Sequence, residues 1–169
     1  MNVYLSSPMH ENHEREKRFH RMNDVIMDIA KIYMRWHDEK QDFGVEDTLR
    51  REEIHTIQAI GDNEGINITE LAGVFSVTKP TISARIRKLA SAGLVEKRSG
   101  FGNNKEVLLF LTEKGWAAHA NHEEKHHKLF EVFEQHFGDD AEYFLDSFMH
   151  DLNRFSLFLS DVKQRREEF

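Results

Sequence analysis

The chain has 169 residues and a formal net charge of −7, with 31% charged and 39% hydrophobic residues. That balance suits one compact domain with helical extensions whose long faces are solvated. Cysteine is absent, which excludes disulfides and thiolate metal sites and leaves His, Asp or Glu as the possible metal ligands. The opening MNVYLSSPMHENHEREKRFH lacks the apolar segment of a secretory signal, and no window approaches the ~18 apolar residues of a membrane span. A cytoplasmic protein with no membrane partner is the expectation.

Residues 1–15 are polar and are expected to fray. From about Glu16 to Glu39 the apolar positions Phe19, Met22, Val25, Ile26, Ile29, Ile32, Tyr33 and Trp36 recur at three and four, which predicts a long amphipathic helix. DEKQDFG breaks it. Thr48 to Gly61 reads as a second helix with Leu49, Ile54, Ile57 and Ile60 on one face. GDNEGIN is a turn. Asn67 then caps a short helix, INITELAGVF, with Glu70 as the reciprocal partner.

SVT is a tight turn, and Thr78 is the next N-cap, with Pro80 near the first helical position. The helix TKPTISARIRKLASAG runs to Gly93, faces inward through Ile82, Ile86 and Leu89, and leaves Thr81, Ser83, Arg85, Arg87 and Lys88 outward. LVEKRS and EVLLFLT are two β-rich runs joined by GFGNNK, a hairpin with a polar tip. A helix from Glu113 to about His136, a break at GDD, and a last helix from about Ala141 to Gln164 complete the chain. The last helix carries a wide stripe from Phe144 to Val162, more apolar surface than one neighbour can cover. This predicts a subunit interface.

Charge is unevenly placed. Residues 77–106 hold Lys79, Arg85, Arg87, Lys88, Lys97, Arg98 and Lys105 against Glu96 and Glu106, a local +5 that leaves −12 for the rest of a chain at −7. A basic island in an acidic chain is the footprint of a phosphate-binding surface. Short helix, three-residue turn, capped basic helix and two-stranded hairpin is the order of a winged helix-turn-helix. The fold class expected is therefore mainly α with a small β-hairpin wing, flanked by long N- and C-terminal helices. Residues 1–45 would hold the N-terminal helix, 46–112 the winged helix-turn-helix DNA-binding domain and 113–169 the C-terminal helices. The second helix of the motif enters the major groove by its N-terminal end, so Thr78, Lys79, Thr81 and Ser83 would meet bases and phosphates. Arg85, Arg87, Arg98, Asn103 and Lys105 would line the flanks and wing.

NITELAGVFSVTKPTISARIRKLASAGLVEKRS followed by EVLLFLTEKG resembles the MarR-type regulators, and the likeness extends more loosely to the terminal helices. The resemblance implies a homodimer joined by its N- and C-terminal helices, so that residues 1–45 and 113–169 would be dimerisation segments, with two winged lobes on a pseudopalindromic operator in double-stranded DNA. The family's wing carries Asp-x-Arg before its second strand, where this chain has Asn103-Asn104-Lys105. Lys105 keeps a charge there without the planar fork of Arg.

HEEKH, residues 122–126, has the spelling of a zinc metalloprotease helix, with Glu123 as its general base. The flanking HANHEEKHHK is polar, and the downstream His136 and His150 carry no accompanying motif. His119, His122 and His126 share one helical face, and His122 and His126 stand one turn apart, within reach of one metal ion. The chain also resembles the zinc-sensing (adhesin-competence repressor) subgroup of the MarR type. That likeness implies a Zn²⁺ site formed by His55, His122 and His126 with His37 or Glu39 as fourth ligand. Other divalent transition metals would suit the same donors. A cysteine used by the subgroup's second site is missing here. The alternative within the MarR type is a regulator that senses a phenolic or lipophilic ligand, with Trp36, Phe43 and Trp116 as candidate pocket residues. His10, His13 and His20 read as solvated side chains.

Overall fold

A computed structural model describes residues 8–46, 48–100 and 103–165. Its elements are α1 (Pro8–Asp38), α2 (Arg51–Asp62), α3 (Ile68–Val74), α4 (Lys79–Ser91), β1 (Val95–Gly100), β2 (Asn103–Leu111), α5 (Glu113–Phe137) and α6 (Ala141–Arg165). This is the expected class: mostly helical with a two-stranded antiparallel hairpin following a helix-turn-helix. Two compact units divide the chain at His119 and Ala120.

The unit ending at His119 contains the core. Ile54, Ile57 and Ile60 of α2, Leu71 of α3, Ile82, Ile86 and Leu89 of α4, then Leu94, Leu109 and Ala118 are essentially without solvent. α2 and α4 each contribute a stripe at three- and four-residue spacing, and the small domain closes around them by apolar burial. The helix-turn-helix is set by its caps. The Asn67 side chain accepts from the amides of Thr69 and Glu70 at 2.8 and 3.0 Å, and Glu70 returns a bond to the Asn67 amide at 3.0 Å. This capping box satisfies donors that the first turn of α3 would leave open. Between α3 and α4 the chain reverses at Ser76, in the left-handed region at φ 52°. Thr78 caps α4, with Pro80 in its first turn.

β1 and β2 pair antiparallel from Val95↔Leu111 to Ser99↔Val107, with a register shift between Ser99 and Gly100. The turn before α3 joins this ladder. The Gly65 amide donates to the Leu109 carbonyl and the Leu109 amide to that of Ile66, at 2.9 and 3.1 Å. That anchors the wing base to the helix-turn-helix. Gly115 lets α5 start against the hairpin: a Cβ there would lie 2.1 Å from the Leu94 carbonyl oxygen.

The unit from Ala120 onward comprises most of α5, a 3₁₀ turn at Gly138–Asp140 and α6. Phe133, Phe137, Phe144 and Phe148 form an aromatic ladder that joins α5 to α6, with the closest pair, Phe137 and Phe144, stacked at 4.1 Å between centroids. Leu145, Met149, Leu152, Phe158 and Leu159 nevertheless stay exposed, and no described residue of α6 is buried.

Three boundaries depart from the sequence reading. α1 begins at Pro8 rather than near Glu16. Its first turns are polar but rich in helix formers, supported by a Lys17–Glu14 ion pair at 2.8 Å, and proline is tolerated where no helical amide bond is required. α2 starts at Arg51, so Leu49 leaves the expected helix and pairs as a bridge with Gln41 while still buried. β2 begins at Asn103, inside the stretch expected as the hairpin tip.

Candidate nucleic-acid interface and metal centre

The start of α4 presents small polar groups on a rigid frame. Thr78 Oγ1 accepts from the Thr81 amide at 3.4 Å, and the two threonine hydroxyls lie 2.9 Å apart. Thr78, Lys79 and Thr81 are exposed, and Ser83 is half-buried. Val74 and Val77 are also exposed at 59% and 37%, flanking the turn into α4. Their methyl groups add an apolar element that charge counting passed over. A groove reader uses such contacts on thymine methyls.

The cations divide into two groups. Lys79, Arg87 and Lys97 are exposed. Arg98 pairs with Glu96 and lies 4.2 Å from the centre of the Phe110 ring, so its guanidinium is held along the hairpin. Arg85 departs from the outward placement expected of it. It is half-buried, donates from Nη1 to Thr56 Oγ1 at 3.1 Å, and sits 5.5 Å from the Phe75 ring centre. Lys88 pairs with Glu53, whose side chain is 5% exposed. Burial pushes the Glu53 carboxyl up, but Lys88 and the Arg50 amide outweigh it and hold its pKa below the ordinary glutamate value. Asn103 and Lys105 open β2, and their side chains lie outside the described residues.

On α5, four-residue spacing puts His122 and His126 on one face. Their Nε2 atoms are 3.0 Å apart and their rings meet edge to face at 4.4 Å. Two nitrogens on one tetrahedral zinc at ~2.05 Å stand about 3.3 Å apart, so the spacing fits a shared ion with little adjustment. His122 is buried and His126 exposed. His55 lies on α2, in the other of the two units. Imidazole is a borderline-soft nitrogen donor that suits Zn²⁺ and accepts nickel, cobalt or copper. Glu39 is exposed, and the His37 side chain lies outside the described residues.

His119, on the same sequence face, is drawn elsewhere. Its Nε2 lies 3.4 Å from Asp62 Oδ1, its ring meets Trp116 edge-on at 5.2 Å, and a Cβ on Gly61 would sit 2.6 Å from its ring. His127 pairs with Glu131 at 3.3 Å on the solvated side of α5. Of the aromatic residues considered for an organic-ligand pocket, Phe43 belongs to the core, whereas Trp36 is 62% exposed.

Residues 49–107 match the model of the MarR family. This segment spans α2, the helix-turn-helix and the hairpin. Two curated relatives bear on it. The uncharacterized HTH-type transcriptional regulator YhjH of Bacillus subtilis is 37% identical over 90 residues, 53% of this chain and 51% of that protein. The HTH-type transcriptional regulator PetP of Rhodobacter capsulatus is 41% identical over 59 residues, 35% of this chain and 36% of that protein. The chain thus spans about half or less of the length of these relatives. Among solved structures, FabT of Streptococcus pneumoniae in complex with DNA aligns over 83% of this chain and 99% of that one, at TM-score 0.67 and 19% identity. ZitR of Lactococcus lactis, a zinc-responsive MarR family member, aligns over 79% and 97%, at TM-score 0.60 and 16% identity. These likenesses show a shared winged-helix fold that extends into the long helices.

Proposed function

We propose that this chain is a MarR-type transcriptional regulator, a dimeric repressor without catalytic activity, whose affinity for operator DNA is raised by zinc held by His55, His122 and His126. The His122–His126 pair, with Nε2 atoms 3.0 Å apart on one face of α5, carries the zinc reading, and His55 is the third ligand that the resemblance to the zinc-sensing subgroup implies. The match over residues 49–107 and the exposed polar start of α4 support DNA binding.

The dimer reading rests on surface chemistry. α1 exposes Val25, Ile29, Ile32 and Trp36, and α6 exposes Leu145, Met149, Leu152 and Leu159. These side chains are already about half covered, so burying the rest is worth roughly 1 kcal/mol each, and a second copy of the chain supplies the matching surface with two-fold symmetry. Two copies of α4 held at one helical repeat then read two half-sites of a pseudopalindrome.

Zinc would be the resident ion, with a fourth position filled by His37, by Glu39 or by water. It supplies a cross-link rather than a reaction. His55 belongs to α2, which leads into the helix-turn-helix, and His122 and His126 belong to α5, which follows the wing. Joining these elements narrows the conformations open to the DNA-reading helices, and it raises DNA affinity by population shift if the retained conformation matches the operator. Linkage then requires DNA to tighten zinc binding by the same factor. Genes for metal uptake are the natural targets of a repressor that metal switches on.

The test is elemental analysis of the purified protein, followed by zinc titration of the chelator-stripped form against a competing chromophoric chelator. The expected result is about one tightly held zinc per subunit, lost in His122→Ala and in His55→Ala with the dimer intact. Wild-type protein that takes up no zinc, or variants that retain full affinity, would leave the histidines as a structural cluster. Screening for a small organic ligand would then be the next step.

A further inference from the structure

Buried polar residues on α2 are Glu53 and Thr56, three apart and therefore on one face. Each grips a cation of α4: Glu53 takes Lys88, and Thr56 takes Arg85. The two cations are also three apart, so the contacts run as parallel rungs between the helices. Thr56 is fully buried and uses its hydroxyl twice. It donates to the Glu52 carbonyl at 2.6 Å, which fixes its rotamer, and accepts from Arg85 at 3.1 Å. The Arg85 guanidinium carbon also lies 5.5 Å from the centre of the Phe75 ring, and the residue is half-buried. The guanidinium is thus engaged within the protein on both of these sides.

We infer that Arg85 is a positioning residue: with Thr56, and beside the Glu53–Lys88 rung, it sets the angle at which α4 leaves α2, and it contributes no phosphate contact of its own. The inference rests on the DNA-binding reading for its consequence, but not for its structural content. His55 stands between the two rung residues of α2, so a change of that helix at His55 is passed to α4 through them.

Two measurements decide it, one of them without DNA. The first is hydrogen exchange of α4 amides in wild type, Thr56→Val and Thr56→Ser. Valine keeps the shape and removes the hydroxyl, whereas serine restores it. Faster exchange confined to α4 in Thr56→Val, returned toward wild type by Thr56→Ser, is expected. Unchanged α4 exchange in Thr56→Val overturns the clamp, whether or not the protein binds DNA.

The second is binding to a duplex enriched from a random-sequence library, compared with a scrambled duplex of equal length, across a salt series. Arg85→Ala and Thr56→Val should each weaken the enriched duplex roughly ten- to a hundredfold, the worth of one hydrogen bond to a charged group. The double variant should lose no more than either single one. The salt slope of Arg85→Ala should equal wild type, while Arg87→Ala flattens it by about 0.9, the value of one phosphate contact. A flattened slope in Arg85→Ala, or additive losses, overturns the assignment. Failure of the wild type to bind any duplex removes the DNA-binding reading instead, and the exchange result still judges the clamp.

Discussion

Replacing Gly115 by alanine tests how tightly α5 is seated on the hairpin. The added Cβ would lie 2.1 Å from the Leu94 carbonyl oxygen and 3.2 Å from the Leu111 Cβ. The oxygen is backbone and already occupied, accepting from the Thr112 amide at 3.2 Å. The adjoining Gly93 carbonyl accepts from Thr112 Oγ1 at 2.6 Å. Relief therefore needs the first turn of α5 to move by about an ångström, which strains both bonds at ~0.5–1.5 kcal/mol each. Overpacking adds ~1–3 kcal/mol, and the better helix propensity of alanine returns up to ~1 kcal/mol. The net expectation is a loss of about 2–4 kcal/mol, or roughly 5–15 °C in Tm for a chain of this size. Thermal and urea melts of Gly115→Ala beside wild type measure it. A Tm within about a degree of wild type, or above it, would show that α5 does not approach β1 as closely as described.

Asn67→Ala removes the acceptor of two amides at the start of α3, and a loss of about 1 kcal/mol is expected in urea melts, with Asn67→Asp close to wild type. Gly61→Ala forces the His119 ring off its place beside Asp62 and Trp116. It should cost about 1–2 kcal/mol, and much less when made in a His119→Ala background, so additive costs would contradict that contact. Removing zinc with a chelator should lower Tm, and adding it back should restore Tm in wild type but not in His122→Ala.

The helix-turn-helix was legible because its determinants are local. Asn67 with Glu70 and Thr78 with Pro80 mark two helix starts within a few residues, and Ile82, Ile86 and Leu89 give the buried face by spacing alone. The start of α1 was not legible, because a polar helix has no apolar period to announce it. Leu49 kept its burial but not its element: its burial is set by the core, and periodicity over one residue cannot separate a bridge from a helix.

The site divides the same way. Four-residue spacing gave the His122–His126 pair, which the structure holds with Nε2 atoms 3.0 Å apart. The same face pattern included His119, which Asp62 draws away across 57 positions of sequence. Arg85 belongs with His119. Helical period turned it outward, but its bond to Thr56 spans 29 positions, and no local pattern encodes a partner that distant.

In the proposed mechanism, zinc held by His55, His122 and His126 controls DNA affinity. Its most direct test is fluorescence anisotropy with the library-enriched duplex, on chelator-stripped protein, as free zinc is raised at fixed salt. Affinity should rise at least tenfold as one zinc per subunit is taken up, and His122→Ala should stay at the zinc-free value throughout. Equal affinity with and without zinc in the wild type, or an undiminished zinc response in His122→Ala, would contradict it.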